Sequence, residues 1–247
     1  MITHSSGNHA AALACAAAEH GVQARVVMPK NASPVKVKAV QGYGAQITFC
    51  EPTLESREST TESVIRETGC VFVHPYNDDG IIAGQGTAAL EFLDDVDGLD
   101  VVLAPVGGGG LLSGTAIAVK GMDPSVRVIG CEPRNADDAW RSFRTGERIT
   151  SVQPRTVADG LRTVLGDRTF PIILKLVDDI VLAEESEIVE AMRIVFERMK
   201  IVIEPSSAVP LAAVLAGRIG HAFGKVGIVV SGGNVDLGAF FNSFPSL

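Results

Sequence analysis

The chain of 247 residues carries 29 acidic against 21 basic side chains, a formal net charge of −8. No lysine/arginine cluster appears, which argues against a nucleic-acid partner or an anionic membrane surface. At 46% hydrophobic and 20% charged, the composition is that of a globular protein able to bury one large core or two smaller ones. Cys15, Cys50, Cys70 and Cys131 show no paired spacing, so they read as reduced, buried thiols of a cytoplasmic protein and not as a disulfide frame or zinc site. The polar opening Met1-Ile2-Thr3-His4-Ser5-Ser6 lacks the basic region of a signal peptide. The apolar stretch 201–216 is broken by Glu204, Pro205 and Pro210, so it does not read as a membrane span.

Strand-like and helix-like segments alternate, the pattern of an α/β protein with parallel sheets. Residues 8–20 are alanine-rich and helical, 24–28 read as a strand ending at Pro29, and 33–41 as a helix with Ser33 as N-cap and Pro34 in its first turn. A strand over 46–50, a helix over 54–68 and a short strand over 71–74 complete a first block. After a polar turn at 76–80 come a helix over 84–93, an acidic linker over 94–100, a strand over 101–105, a helix over 111–120 and a strand over 126–131. A short strand at 180–182, helices over 184–199 and 206–216, and a last strand over 227–230 follow. No internal repeat or low-complexity tract is present.

Three loops carry the chemistry. Gly107-Gly108-Gly109-Gly110 lies between an apolar strand and a helix, and four glycines in a row let several backbone N–H groups converge on a phosphate at a helix N-terminus. A dinucleotide fold competes for this feature, because Gly108, Gly110 and Gly114 form a relaxed glycine fingerprint and Glu132 ends the next strand. The loop Ser5-Ser6-Gly7-Asn8-His9 opens a helix with hydroxyls and free amides suited to a carboxylate, a second anion cradle that a dinucleotide site does not use. Ser231-Gly232-Gly233-Asn234 follows a buried strand, where a hydroxyl is placed to hydrogen-bond a cofactor ring. His4, His20, His74 and His221 are scattered and read as structural, and Trp140 has no aromatic interleaving of the nucleic-acid kind.

Taken in order, these loops with His74-Pro75-Tyr76, Ala83-Gly84-Gln85-Gly86-Thr87, Glu132-Pro133-Arg134-Asn135-Ala136-Asp137-Asp138, Ala158-Asp159-Gly160 and Glu204-Pro205-Ser206-Ser207-Ala208 resemble the fold-type II pyridoxal-phosphate enzymes. The likeness is specifically to the serine racemase and threonine/serine (hydroxyaspartate) ammonia-lyase group, and it runs the whole length. The resemblance implies a tryptophan synthase β-like α/β fold of two three-layer, parallel-sheet domains. Residues 1–76 would form the small domain with the substrate-carboxylate loop, and 77–247 the large domain with the phosphate loop. It implies pyridoxal 5'-phosphate held by Gly107, Gly108, Gly109, Gly110 and Leu111, with Asn8 at the ring hydroxyl, Ser231 at the pyridine nitrogen, and Gly160 also at the cofactor. A neutral partner such as serine is expected to leave that nitrogen unprotonated. Ser5, Ser6, Gly7, Asn8 and His9 would hold the substrate carboxylate, Arg57 and Thr163 would line the outer pocket, and Ser6 would serve as acid/base on one face of the α-carbon. Glu132, the carbonyl of Ala136, and Asp138 would bind a divalent cation (Mg²⁺, Mn²⁺ or Ca²⁺). The partner implied is a small hydroxy amino acid and the assembly a homodimer. The activity implied is conversion of serine, threonine or 3-hydroxyaspartate to a keto acid and ammonia, with serine racemisation beside it. A cysteine synthase-like β-replacement is the rival within enzymes, although that group has a Ser-Gly-Asn-Thr loop where His9 follows Asn8 here.

Members of this family carry a Schiff-base lysine in a Ser-x-Lys-x-Arg-Gly-Ala type segment upstream of the loop matched by Ser5. This chain starts just before that loop, and its seven lysines, Lys30, Lys36, Lys38, Lys120, Lys175, Lys200 and Lys225, match none of that context. The expectation is therefore a large domain lacking its N-terminal part, in a truncated reading of a longer enzyme. The alternatives are a pseudoenzyme or fragment that binds pyridoxal phosphate or amino acids without turnover, and a lysine supplied by another chain. The lack of a regulatory domain after Leu247 fits the racemase branch better than the biosynthetic threonine deaminases.

Overall fold

The computed structural model describes residues 1–220 and 222–242, so His221 lies outside the described residues. The chain divides into two compact units, Met1–Pro75 with Asn234–Phe241, and Tyr76–Gly233.

The first unit alternates β1 (Ile2–His4), α1 (Asn8–Glu19), β2 (Arg25–Pro29), α2 (Pro34–Gly42), β3 (Gln46–Cys50) and α3 (Leu54–Thr68). Its strands pair in parallel in the order β1-β2-β3, with Ile2 opposite Arg25 and Arg25 opposite Gln46. Alanine makes α1 both a good helix and a thin one. Ala10, Ala14 and Ala17 recur at helical spacing and are buried, Ala10 against Val26, Met28 and Val40. The expected strand over 71–74 is reduced to one parallel bridge between Ile2 and Phe72. Ile2 N–H donates to Val71 O and Val73 N–H to Ile2 O, both at 2.8 Å. The Thr3 hydroxyl then takes the Val73 carbonyl at 2.7 Å, so a side chain replaces the next rung of the ladder.

The second unit runs α4 (Asp79–Asp95), β4 (Val101–Pro105), α5 (Gly110–Met122), β5 (Arg127–Pro133), α6 (Asp138–Thr145), α7 (Thr169–Leu176), β6 (Asp179–Ala183), α8 (Glu185–Met199), α9 (Pro205–Leu215) and β7 (Val226–Ile228). A last helix, α10 (Leu237–Asn242), ends the described chain. Helices α6, α7 and α10 and strand β1 have no counterpart in the sequence reading. Helix α4 starts well before residue 84, because the Asp78 carboxylate caps it by accepting from Ile81 N–H at 3.1 Å. The supposed acidic linker is shortened accordingly, and Leu99 within it is buried. Of the four cysteines, all free, only Cys50 and Cys131 are buried; Cys15 and Cys70 are half-buried, which corrects the expectation for those two. Among the described residues no helix is long and apolar enough to cross a membrane.

The second sheet is parallel with strand order β6-β5-β4-β7. From β4 the chain winds outward through β5 and β6, then returns through α8 and α9 to lay β7 on the other side of β4. The β4/β7 pair is therefore where the winding direction reverses, the place where ligands bind at the carboxyl ends of such strands. Every residue of β4 is buried, and Val102, Ala104, Leu112, Val128, Leu165, Ile173 and Ile180 belong to the core around it. Helices α4 and α5 approach at Gly86 and Gly114, where a Cβ on Gly114 would stand 2.3 Å from Ile82 O and 2.5 Å from Gly86 N. Neither atom is the end of a flexible side chain, so the backbones themselves would have to separate. We expect Gly114→Ala to lose about 2 kcal/mol net, with overpacking outweighing the gain in helix propensity, and to lower Tm by about 4–8 °C. Gly84→Ala, on the same α4 with nothing within 4 Å of its Cβ position, should raise Tm; equal effects in differential scanning calorimetry would refute the close-packing account.

Candidate active site

Strand β4 ends at Pro105 and delivers Gly107-Gly108-Gly109-Gly110 to the reversal point. The loop is fully buried and braced on both flanks: Val106 N–H donates to Cys131 O at 3.0 Å, and Val229 N–H to Leu103 O at 2.9 Å. Side chains are excluded along it. A Cβ would meet Leu161 Cα at 3.0 Å from Gly107, the Tyr76 ring at 2.3 Å from Gly108, and Tyr76 Cβ at 3.0 Å from Gly110. Gly109 has φ +90° and caps α5 without a side chain. The Thr169 hydroxyl holds the Gly108 carbonyl at 2.8 Å. The first N–H groups of α5 have no intrahelical acceptor, and the helix dipole adds positive potential there. Donors arranged this way suit a phosphate, and the loop fits the monoester of pyridoxal phosphate. Gly160 O and Thr163 Oγ1 lie 3.3 and 3.2 Å from the Cβ position of Gly107, so both predicted residues stand at the glycine loop. Leu111 is half-buried beside it.

Strand β7 ends next to that loop and leads to Ser231. The Ser231 hydroxyl lies 3.0 Å from Ser207 Oγ, a buried hydroxyl on α9 that also accepts from Gly232 N–H at 2.6 Å and reaches Gly232 O at 2.7 Å. Nothing in the sequence marks Ser207 as the neighbour of a serine twenty-four positions on.

In the first unit, β1 presents Ser5-Ser6-Gly7-Asn8-His9 at its carboxyl end. Ser5 N–H donates to Val27 O at 3.1 Å, and Ser5 Oγ accepts from Gly7 N–H at 3.3 Å, which curls the loop onto the start of α1. Ser6 is exposed. Asn8 Oδ1 accepts from Asn234 Nδ2 at 2.8 Å, within the first unit. His9 Nε2 is 3.0 Å from Thr3 Oγ1. Burial pushes His9 down to about 4. His4 is also lowered to about 4, by burial first, then by the charges of Arg57 and His74. His4 and His74 are not scattered: their rings stand edge to face at 5.6 Å, with Phe72 against both. His20 is the exposed C-cap of α1, in keeping with a structural reading. Arg57 lies on α3 with its buried Nε lacking a hydrogen-bond partner. Sequence reasoning missed Lys36, which is 5% exposed and whose Cδ would lie 2.9 Å from a Cβ on Gly7.

At the end of β5, the Glu132 carboxylate is fully buried and accepts from Ala139 N–H at 2.9 Å and Trp140 N–H at 2.8 Å, so it caps α6 from the preceding strand. Asp138 is buried alongside, with neither carboxylate oxygen hydrogen-bonded. Among the described residues no three His, Cys, Asp or Glu side chains gather around one point. Two buried carboxylates with two orphaned oxygens, beside the buried Ala136, nonetheless suit a hard divalent cation that takes oxygen ligands. Burial, with the Asp138 charge second, drives Glu132 well above its usual range. Burial likewise drives Asp138 up to about 7, although the N–H groups of Asp138 and Leu165 favour its ionised form from outside hydrogen-bond geometry.

A parallel α/β chain with a glycine phosphate cradle and a hydroxyl at one sheet reversal belongs to the class that binds phosphorylated ring cofactors. The model of the family "Pyridoxal-phosphate dependent enzyme" matches residues 1–232, and the chain belongs to that family. Among its relatives, the serine racemase of Arabidopsis thaliana is 49% identical over 251 residues, covering 100% of this chain and 76% of that protein. The beta-hydroxyaspartate dehydratase of Paracoccus denitrificans is 51% identical over 237 residues, covering 96% and 75%. The solved structure of maize serine racemase superposes with a TM-score of 0.95 at 45% identity, over 98% of this chain and 75% of that one.

The acidic corner makes a pH prediction. Both carboxyls hold protons in the folded state that the unfolded chain releases near its ordinary pKa, so stability is greatest at low pH and falls as pH rises. For Asp138 the window runs from 3.8 to about 7, at a slope of up to about 1.4 kcal/mol per pH unit. In chelator-treated protein, urea midpoints should decline across that window, and Asp138→Asn should flatten the decline. An unchanged slope in the variant would remove Asp138 from the account.

Proposed function

We propose that this chain acts on 3-hydroxy amino acids, removing the β-hydroxyl and the amine to give a keto acid and ammonia, with serine racemisation as a companion activity. The observation that carries the reading is the glycine tetrad beside Ser231 at the β4/β7 reversal. In this reading Gly107 to Gly110 hold pyridoxal phosphate and the loop of Ser5 grips the substrate carboxylate. When bound, the cofactor supplies an electron sink for the α-carbon.

The chain's own residues do the rest. Gly107, Gly108, Gly109 and Gly110 hold the phosphate through backbone N–H groups, with Leu111 and Gly160 beside them. Ser231 faces the ring nitrogen and Asn8 the ring hydroxyl. Ser5, Ser6, Gly7, Asn8 and His9 orient the substrate carboxylate, and Thr163 lines the outer pocket. His4 and His9, lowered to about 4, are neutral at pH 7, so the grip comes from hydroxyls, N–H groups and the nearby cations. Ser6 moves the proton on one face of the α-carbon. Arg57, with its unpartnered buried Nε, favours a substrate bearing a second carboxylate, and this ranks 3-hydroxyaspartate above serine and threonine. The dehydratase relative supports that ranking.

Where the segment with the Schiff-base lysine is present, the protein with pyridoxal phosphate should release ammonia and keto acid fastest from 3-hydroxyaspartate. Ser6→Ala should reduce D-serine formation by about 10²–10⁴-fold while ammonia release changes far less. Cofactor binding without keto acid from any of the three substrates, and without borohydride-fixed label on a lysine, would replace this reading with a non-catalytic binding module. The cation is proposed at Glu132, Ala136 O and Asp138. Millimolar Mg²⁺, Mn²⁺ or Ca²⁺ should raise Tm above pH 7 in the unaltered protein and not in Asp138→Asn, as mass action on the folded state requires; equal gains in both would place the ion elsewhere.

A further inference from the structure

A loop of four glycines holds an anion only if its peptide planes face the right way, and glycine leaves that choice open. The Gly108–Gly109 peptide is trans, so its carbonyl points to one side and its N–H to the other. Gly109 stands at φ +90°, and turning the plane over would take it to a negative φ that glycine accepts as readily. One orientation offers an N–H to a phosphate; the other offers a carbonyl, which repels it. On the reading that Gly107 to Gly110 hold the cofactor phosphate, on which this inference rests, only the first orientation serves.

Thr169, at the start of α7 and 0% exposed, decides between them. Its Oγ1 accepts from Gly166 N–H at 2.9 Å, because an N–H can only donate. Its single hydrogen then has two carbonyls in reach, Gly108 O at 2.8 Å and Gly166 O at 3.4 Å. Only the first lies within the range of O–H···O hydrogen bonds, and no bulk water reaches the hydroxyl to compete. Gly166 N–H also stands 3.3 Å from Gly108 O, so both donors act on the same carbonyl. With its carbonyl pinned toward Thr169, the peptide turns the Gly109 N–H the opposite way. Gly109 O accepts from Ser113 N–H at 2.8 Å, which sends the Gly110 N–H outward from the start of α5. Gly109 has ψ −3°, which eclipses its nitrogen with that of Gly110 and sets two N–H groups side by side, as anion-binding concavities require. We infer that Thr169 is a positioning residue whose hydroxyl fixes the Gly108–Gly109 peptide with the Gly109 N–H toward the cofactor phosphate. A carbonyl that accepts such a bond also makes the N–H of its own peptide a stronger donor.

The test compares binding of pyridoxine 5'-phosphate and of pyridoxine to the full chain. Neither ligand has an aldehyde, so no lysine adduct confuses the result. Equilibrium dialysis gives both affinities, and the ³¹P resonance reports the bound ester. The unaltered protein should prefer the phosphate ester. Thr169→Val keeps the shape and removes the hydroxyl. It should cut that preference about tenfold, the size of one lost hydrogen bond to a charged group, and leave the affinity for pyridoxine unchanged. Thr169→Ser, which retains the hydroxyl, should recover most of the preference. A preference untouched by Thr169→Val, or a loss shared equally by both ligands, overturns the inference and leaves the phosphate reading standing. Should the valine variant not fold, the unaltered protein labelled with ¹⁵N-glycine decides. Its Gly109 amide proton should move downfield with the ester and not with pyridoxine, and an unmoved Gly109 signal in saturated protein overturns the inference. No preference for the ester in the unaltered protein overturns the phosphate reading itself, and this inference falls with it.

Discussion

The pairing of β4 with β7 is the constraint on which the second unit depends. Strand β4 is buried along its whole length, so it must have a neighbour on each side, and β7 fills the side that β5 leaves open. Because β7 arrives from the opposite winding direction, the loops leaving β4 and β7 diverge from a common edge instead of covering each other. One brings four glycines and the other a serine, and both inherit a fixed position from the sheet. The Val229–Leu103 and Val106–Cys131 hydrogen bonds carry that register up to the loops. A site built this way needs little help from loop sequence beyond the absence of side chains.

Buried polar groups sort into two kinds. Ser207 and Glu132 are fully engaged, each tying a loop or helix end to the strand edge, and a satisfied network of this sort fixes one geometry. The oxygens of Asp138, Nε of Arg57 and Nδ1 of His4 are buried without hydrogen bonds, and each such group costs about 1–3 kcal/mol unless something answers it. Three unanswered groups lie within or next to residues singled out for ligand chemistry.

Much of the fold was legible because periodicity and punctuation agreed. The strands at 46–50 and 101–105 and the helix at 54–68 follow from apolar alternation or a clear cap, and the structure has them at those bounds. Failures came where one signal masked another. The polar turn at 76–80 hid the start of α4, which Asp78 caps, while Gly86 serves the contact of that helix with α5. Helix α6 was invisible because part of its cap comes from Glu132, on the preceding strand. The site motifs could be read in chain order, since each loop needs particular residues whatever surrounds it. Their neighbours could not: Tyr76 against Gly108, Lys36 beneath Gly7 and Ser207 on Ser231 are products of tertiary packing, with no local pattern to betray them.

The first loop shows how burial decides charge. Histidines at 4, 9 and 74 lie at or near this loop, where a protonated imidazole would attract an anion. Burial reverses this for His4 and His9, because a desolvated imidazole beside Arg57 or another histidine pays twice for a proton. The rings serve as neutral packing and as fixed hydrogen-bonding partners, His9 on Thr3 and His4 against Phe72 and His74. The cationic side chains beside the loop are Arg57, whose charge acts on His4, and Lys36, whose stem lies against Gly7. Protonation near neutral pH changes instead at Asp138, which burial drives up to about 7.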